Sequence, residues 1–466
     1  MRVPLETPLP RLIAQSSPNA EAGVVLEEID ARMCDAFASQ DLDEISITIV
    51  EYGFSPLLTI PVIMVWAGHV PDCLRNLRIP TILRHYNLSL ASKGGISTGI
   101  TAGAGPPPPP PPLLPAEQAH NIQPRSRGLP EKANSPARNS ALGYIYGDAK
   151  TSSEMRKRLR DFRLTPVPWD GRPRVPLGHG SNVSSVYDEK RGSLGVFLAP
   201  HSRPGECHFL SAEHVFGGPH RSQVQTVSHL DTLRQLAAVV YNRSSSTIAE
   251  QEAECELVFR QVKLNVGELI ASSIGVDATG WRKDWALCHV PNEYAGVNGS
   301  FDMDQEDSLR QLLGLDADHA FRGGLGLSTA KGGDTVVKIG ATTGITIGIV
   351  NETSLYTYRR GKAEPATSGD IPYDRATLRL IVSQLPSQTS FCAGGDSGAG
   401  VFAFGDGGLS WVGLLVGIDH AGETGCPVLH GDIGLMIPQE IVFSQIEKET
   451  GTEWGLYHAP PAGGIS

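Results

Sequence analysis

The chain has 466 residues, enough for two or three domains and a sizeable core. It carries 52 glycines and 34 prolines, above the average usage of about 7% and 5%, while only 19% of residues are charged and the net charge is −11. The acidic balance excludes a nucleic-acid binder held by phosphate contacts, and the sparse charge excludes a coiled coil or a helical repeat.

The first twenty residues, MRVPLETPLPRLIAQSSPNA, hold several prolines and no apolar run of signal-peptide length. The most apolar stretch, Leu57 to Ala67, is too short to span a bilayer and contains Pro61, so a buried strand is expected and no membrane partner. The chain has seven cysteines, none in a C-x-x-C spacing, which suits free thiols in a reducing compartment. An intracellular, cytoplasmic protein is therefore expected, in which N-x-S/T sequences such as those at Asn87 and Asn242 carry no sugar.

Residues 1–90 read as a small α/β domain. Val25, Leu26, Ile29, Met33 and Phe37 recur at helical spacing, Ile45, Ile47 and Ile49 alternate as in a half-buried strand, and Thr59 to Trp66 suits a fully buried one. No catalytic constellation falls there, and its role is opaque. Residues 91–138 change character: Gly94 to Gly105 is rich in Gly, Ser, Thr and Ala, and Pro106 to Pro112 is an unbroken run that favours the extended polyproline II helix. A disordered, proline-rich linker is expected, with a proline-binding partner at Pro106 to Pro112 as the alternative.

Residues 139–466 are dense in Gly and Pro turns between short apolar runs: Gly195 to Leu198, Cys207 to Leu210, Thr335 to Gly340, Ala376 to Val382, Gly400 to Phe404 and Trp411 to Ile418. Such punctuation predicts a mainly β barrel or sandwich. Two helices interrupt it, one with Leu230, Leu233, Leu236, Ala237 and Val240 on a single face, the other over Ile441 to Ile446 after Pro438.

The sharpest local signal is FCAGGDSGAGVF, centred on Gly395-Asp396-Ser397-Gly398. Glycines on both sides of a serine let the backbone turn tightly and leave nearby N–H groups unobstructed. A hydroxyl beside converging backbone donors suits acyl transfer, which needs a nucleophile next to an oxyanion hole. A serine hydroxyl also needs a base, and His214 ends a short apolar strand in HFLSAEHVFGG. An orienting acid is available where Asp284 precedes the apolar run Trp285-Ala286-Leu287.

In this order the chain resembles the trypsin/chymotrypsin-like serine peptidases. Ser211-Ala212-Glu213-His214 is similar to the family's Thr-Ala-Ala-His, Asp284-Trp285-Ala286-Leu287 to its Asp-Ile-Ala-Leu, and Gly395-Asp396-Ser397-Gly398 matches its nucleophile motif. Gly340-Ala341-Thr342-Thr343-Gly344, with Gly348 and Val350, is similar to a hairpin of bacterial, streptogrisin-like members. The resemblance covers about residues 175–450 and implies two six-stranded β-barrels, preceded here by the small α/β domain and the proline-rich linker. It implies a serine endopeptidase acting on protein or peptide substrates without a cofactor or metal. His214, Asp284 and Ser397 would be the catalytic residues, and the backbone N–H groups of Gly395 and Ser397 the oxyanion hole. Phe391, Val416, Gly417 and Ile418 would bind substrate.

The departures from that pattern also carry information. Glu213 replaces a small residue before the histidine, and Val215 stands where secreted members often have a cysteine. No Ile-Val-Gly-Gly start follows a basic cleavage site, so a freed N-terminus pairing with Asp396 is not expected. Phe391 in place of an acid, with Ile418, suggests small or apolar side chains at the cleaved bond. Two other readings compete. A metal site built from Cys207, His208, His214 and His220 lacks the tight paired spacings of zinc ligands. A phosphate loop near Lys331 and Lys338 lacks G-x-x-x-x-G-K-[ST]. The main rival is a catalytically silent peptidase-like domain used as an interaction module.

Overall fold

Alternating apolar and polar side chains build more than half of the described residues into strands. A computed structural model describes residues 11–13, 20–39, 44–55, 58–67, 87–92, 95–98, 177–185, 191–216, 223–225, 265–301, 303–316, 324–360, 373–384, 391–405, 408–417 and 433–458. Ile418, Pro106 to Pro112, His220 and the helix expected near residue 230 lie outside the described residues. Among the described residues no helix is long and apolar enough to cross a membrane.

In the first part of the chain lie β1 (Arg11–Ile13), α1 (Ala20–Ser39), β2 (Glu44–Ser55), β3 (Leu58–Ala67), β4 (Asn87–Ser92) and β5 (Gly95–Thr98). The helix and the two strands thus fall where the pattern placed them, while β5 falls inside the stretch expected to be linker. Next come β6 (Asn182–Ser185), β7 (Gly192–Ser193), β8 (Phe197–Pro200), β9 (Cys207–Ser211), β10 (Gln223–Gln225), β11 (Asn265–Val276) and β12 (Arg282–Val290). After α2 (Met303–Leu313) follow β13 (Gly326–Leu327), β14 (Thr335–Gly340), β15 (Gly344–Arg360), β16 (Tyr373–Ser383), β17 (Gly400–Gly405), β18 (Gly408–Leu415) and β19 (Ile433–Pro438). The described chain closes with α3 (Gln439–Thr450) and β20 (Trp454–Leu456).

Among the described residues the protein is mainly β, with two sheets. One has eight strands in the order β20-β8-β9-β12-β11-β10-β6-β7. The other has twelve strands; its path runs β14-β17-β18-β19-β16-β15, and β15 also pairs with β14, so these six pairings return to their start. The turn joining β14 to β15 needs a left-handed residue, and Gly344 supplies it at φ +65°.

A shared core lies between the sheets. Val196, Leu198, Leu210, Trp285 and Leu287 from the first meet Val337, Ile339, Phe402, Trp411 and Leu414 from the second. Trp285 and Trp411 expose no surface. The helix α3 ties the sheets together: Val442 and Ile446 enter this core, and Gln445 Nε2 donates to Asp277 Oδ2 at 2.7 Å and to the Arg282 carbonyl at 3.2 Å. Gly451, left-handed at φ +66°, ends that helix. These contacts fix the relative position of β12 and β18, and so of the residues they present.

The strands of the first part continue the second sheet. Strand β2 pairs antiparallel with β15, with Ile47 opposite Tyr356. Asn351 Nδ2 donates to the Ile49 carbonyl at 2.8 Å, and the hydroxyls of Thr48 and Thr353 meet at 3.2 Å, all buried. From α1, Asp30 accepts from Tyr358 Oη and from Arg375 Nε, the latter at 2.7 Å.

Candidate active site

The site is assembled from both sheets. Asp284 sits on β12, held between β9 and β11, and is 2% exposed. After β9 the chain turns through one 3-10 turn, Glu213–Val215, which brings His214 over β12. The Asp284 carboxylate then takes two bonds from one residue: the His214 backbone N–H donates to Oδ1 at 3.1 Å and Nδ1 donates to Oδ2 at 2.8 Å. A carboxylate only accepts, so the neutral ring carries its proton on Nδ1 and keeps a lone pair on Nε2. The imidazole side chain is 22% exposed against 3% for the Asp284 side chain, so the base faces the open side while its acid is sealed behind it.

Ser397 comes from the second sheet, on the loop entering β17. Gly395 and Gly398 both take left-handed conformations, at φ +100° and +90°. An added Cβ on Gly398 would stand 2.2 Å from Ser211 Oγ and 2.8 Å from the Ala212 nitrogen. Glycine alone thus lets this loop close on the residue two places before His214. The Ser397 carbonyl accepts from the Ser193 N–H at 2.7 Å, and Ser193 Oγ donates to the Gly395 carbonyl at 2.9 Å, so β7 braces the loop twice.

The backbone donors of the loop divide by position. Asp396 N–H bonds to the Ala393 carbonyl at 3.0 Å, Gly398 N–H to Leu415 at 2.6 Å and Ala399 N–H to Asp396 at 3.0 Å. Among the described residues no backbone acceptor takes the N–H of Gly395 or of Ser397. Backbone donors left open in this way are what an oxyanion hole is built from.

Sequence reasoning missed what holds this loop. Asp396 is fully buried and accepts from Thr342 N–H at 2.8 Å, Thr343 N–H at 3.2 Å, Thr343 Oγ1 at 2.7 Å and Ala393 N–H at 2.9 Å. Lys338 Nζ lies 3.3 Å from its Oδ2, with both side chains sealed from solvent. Lys338 also donates to Thr343 Oγ1 and, at 3.1 Å, to the Gly344 carbonyl. Burial lowers the Lys338 pKa, and the Asp396 charge pulls it back up. The signal was in the sequence, since Lys338 lies two residues before the Gly340-Ala341-Thr342-Thr343-Gly344 turn, but a buried partner for Asp396 cannot be read from spacing. The same ion pair leaves Lys338 unsuited to a phosphate.

The four expected substrate-binding positions separate. The Phe391 ring has no exposed surface and packs in the core with Val350, Ile381 and Met436, against the bare faces of Gly348 and Gly434. Val416 is buried and donates its N–H to the Leu435 carbonyl at 2.8 Å. Gly417 lies beside Ser397: it is left-handed at φ +80°, and an added Cβ would stand 2.5 Å from Ser397 Oγ. Ile418 is not described. Of the residues read as metal ligands, Cys207 lies in the apolar core with its thiol pKa pushed up to about 12 by burial, and His214 is engaged by Asp284.

No family model matches the chain, and no curated protein matches its sequence. Solved structures similar to it include bacterial serine proteases. Protease A of Thermobifida fusca shares 14% identity, with 60% of this chain and 97% of that one covered and a TM-score of 0.31. The Nocardiopsis protease shares 16% over the same shares of each chain, with a TM-score of 0.32. The Cellulomonas bogoriensis chymotrypsin shares 13%, covering 60% of this chain and 97% of that one, with a TM-score of 0.29.

Proposed function

We propose that the chain is a serine endopeptidase. Ser397 Oγ attacks a peptide carbonyl while its proton passes to His214 Nε2, and the oxyanion lodges against the N–H groups of Gly395 and Ser397. Collapse of the tetrahedral adduct breaks the C–N bond, and the amine leaves with the proton from His214. Water, deprotonated by the same nitrogen, then releases the acyl group and restores Ser397. Asp284 fixes the tautomer and stabilises the imidazolium between these steps.

One observation carries the reading: the Asp284 carboxylate spans both the N–H and Nδ1 of His214, while Gly398 closes the Ser397 loop on Ala212. In this reading the six pairings that return to β14 are the second barrel, and the sheet bearing His214 and Asp284 the first. Residues 1–90, 91–138 and 139–466 are three sequence units, of which the first and third share one sheet through β2 and β15.

A fluorophosphonate probe tests the proposal. Labelling of the full chain that vanishes in Ser397→Ala and in His214→Ala is the expected result. Undiminished labelling of His214→Ala would mean another group activates the serine. A silent peptidase-like domain used as an interaction module is the alternative. Folded protein that takes no label would select it.

A further inference from the structure

Strand β16 touches both the N-terminal helix and the turn that leads to Asp284. Strand β19 covers one edge of β16 from Arg379 to Val382. Nearer the start of β16 that edge is taken by the turn between β11 and β12: the Thr377 N–H donates to the Gly280 carbonyl at 2.7 Å, and Trp281 forms a parallel bridge with Thr377. The turn is stiff within itself. Asp277 Oδ1 accepts from the Thr279 N–H at 2.8 Å and from the Trp281 N–H at 3.0 Å, and the Asp277 N–H bonds to the Trp281 carbonyl at 2.9 Å. A stiff turn passes its position to the strand it starts, and only Arg282 and Lys283 separate Trp281 from Asp284.

Arg375 joins this turn to α1. Its Nε donates to Asp30 Oδ1 at 2.7 Å, and its guanidinium stacks on Tyr356, 4.1 Å from the ring centre. The same planar group lies against the turn: an added Cβ on Gly280 would stand 3.4 Å from Arg375 Nη1. A guanidinium carries several nitrogens in one fixed plane, so Nε can be engaged by the helix while Nη1 faces the turn. An ammonium has a single nitrogen and cannot do both. A second hold on the turn comes from α3, where Gln445 Nε2 donates to Asp277 Oδ2 at 2.7 Å. The turn before Asp284 is thus fixed from two directions, and one of them runs through a residue of the first part of the chain.

We propose that Arg375 is a positioning residue that makes the Asp284–His214 pair depend on α1. This rests on the peptidase reading and adds to it a control of the same site by the N-terminal part of the chain. The test is the rate of fluorophosphonate labelling in the full chain, in Arg375→Lys and in Asp30→Asn. Both substitutions are also made in an Asp284→Asn background, with raised probe concentration, and every variant is measured well below its urea midpoint. Misplacing a catalytic group by about 1 Å can cost about 10²-fold in rate. Because Gln445 keeps its hold on the turn, a smaller slowing of about tenfold is expected for each single variant. In the Asp284→Asn background the same substitutions should change little, since the pair they position is already lost. Slowing by the same factor in both backgrounds would mean a general loosening of the fold and would overturn the inference. So would full-rate labelling of either single variant. Either result, in a full chain that labels, leaves the peptidase reading standing. Folded full chain that takes no label sinks that reading and this inference with it.

Discussion

Two buried aspartates hold the two halves of the candidate site, and they are built to opposite ends. Asp284, from the first sheet, grips an imidazole whose side chain is 22% exposed. Asp396, from the second, is enclosed by four hydrogen bonds and a lysine as deeply buried as itself. The chemistry of the partners is similar, a carboxylate beside a nitrogen base. What differs is the exit. Where one face of the base stays open, the pair can pass a proton; where both are sealed, it can only hold a loop in shape. Asp284→Asn should divide these roles most sharply. The amide keeps the shape but offers an N–H to Nδ1, which puts the ring proton on the wrong nitrogen. A loss of about 10⁴-fold in kcat/KM is expected, with the urea midpoint little changed. Retained activity would remove the histidine–aspartate pair from the mechanism.

The sealed pair should respond in the other currency. Lys338→Met leaves the Asp396 charge buried without its cation, at a cost of about 3–5 kcal/mol in unfolding free energy. Urea denaturation measures it directly. The same variant should label poorly, because the Gly395 and Ser397 donors depend on the loop that Asp396 anchors. A variant that stays stable and labels at the full rate would show that Thr342, Thr343 and Ala393 suffice to hold the aspartate.

Much of this was legible in the residues. The alternation over Ile45–Ile49, the runs at β9, β14 and β17, and the helix after Pro438 all fell where periodicity put them, because each has one face against a core. The local glycine chemistry around Ser397 was also legible, since left-handed turns demand glycine at fixed offsets. What escaped were pairings set by the tertiary fold. Nothing in the spacing of Lys338 and Asp396 says that they are neighbours, and nothing in β2 announces that its edge partner is β15. Nor does the position of Phe391 relative to Ser397 reveal that Gly348 and Gly434 leave a core space that its ring fills.

Two histidines extend the comparison from carboxylates to pH. Unlike His214, His179 is 2% exposed, with Nδ1 donating to the Gly195 carbonyl at 2.7 Å and Nε2 accepting from the Gly299 N–H at 3.1 Å. Burial lowers its pKa to about 4, against the pull of the Gly195 carbonyl. The unfolded chain, with an ordinary value near 6.5, therefore binds the proton first. Stability from this group is complete above about pH 6.5 and is lost as pH falls towards about 4, by roughly 3 kcal/mol in all. His208 adds to the slope in the same direction, through burial first and the neighbouring His289 second. Unfolding free energies at pH 7 and pH 4.5 measure the loss, and His179→Gln should flatten it. An unchanged slope in that variant would place the acid sensitivity elsewhere.

The smallest effect should come from the seam between α1 and the second sheet. Tyr358 is fully buried and donates its hydroxyl to Asp30, which Arg375 also binds while stacking on Tyr356 at 4.1 Å. Tyr358→Phe removes one donor from a carboxylate that keeps its guanidinium, so a loss of about 1 kcal/mol is expected. Hydrogen exchange should locate it: faster exchange in α1 and β2, with β12 and β18 unaffected. The rate of fluorophosphonate labelling should stay the same. If labelling slows with the exchange confined to α1 and β2, the seam is coupled to the Ser397 loop through β15, the strand that pairs with β2 at one end and leaves the Asp396-binding turn at the other.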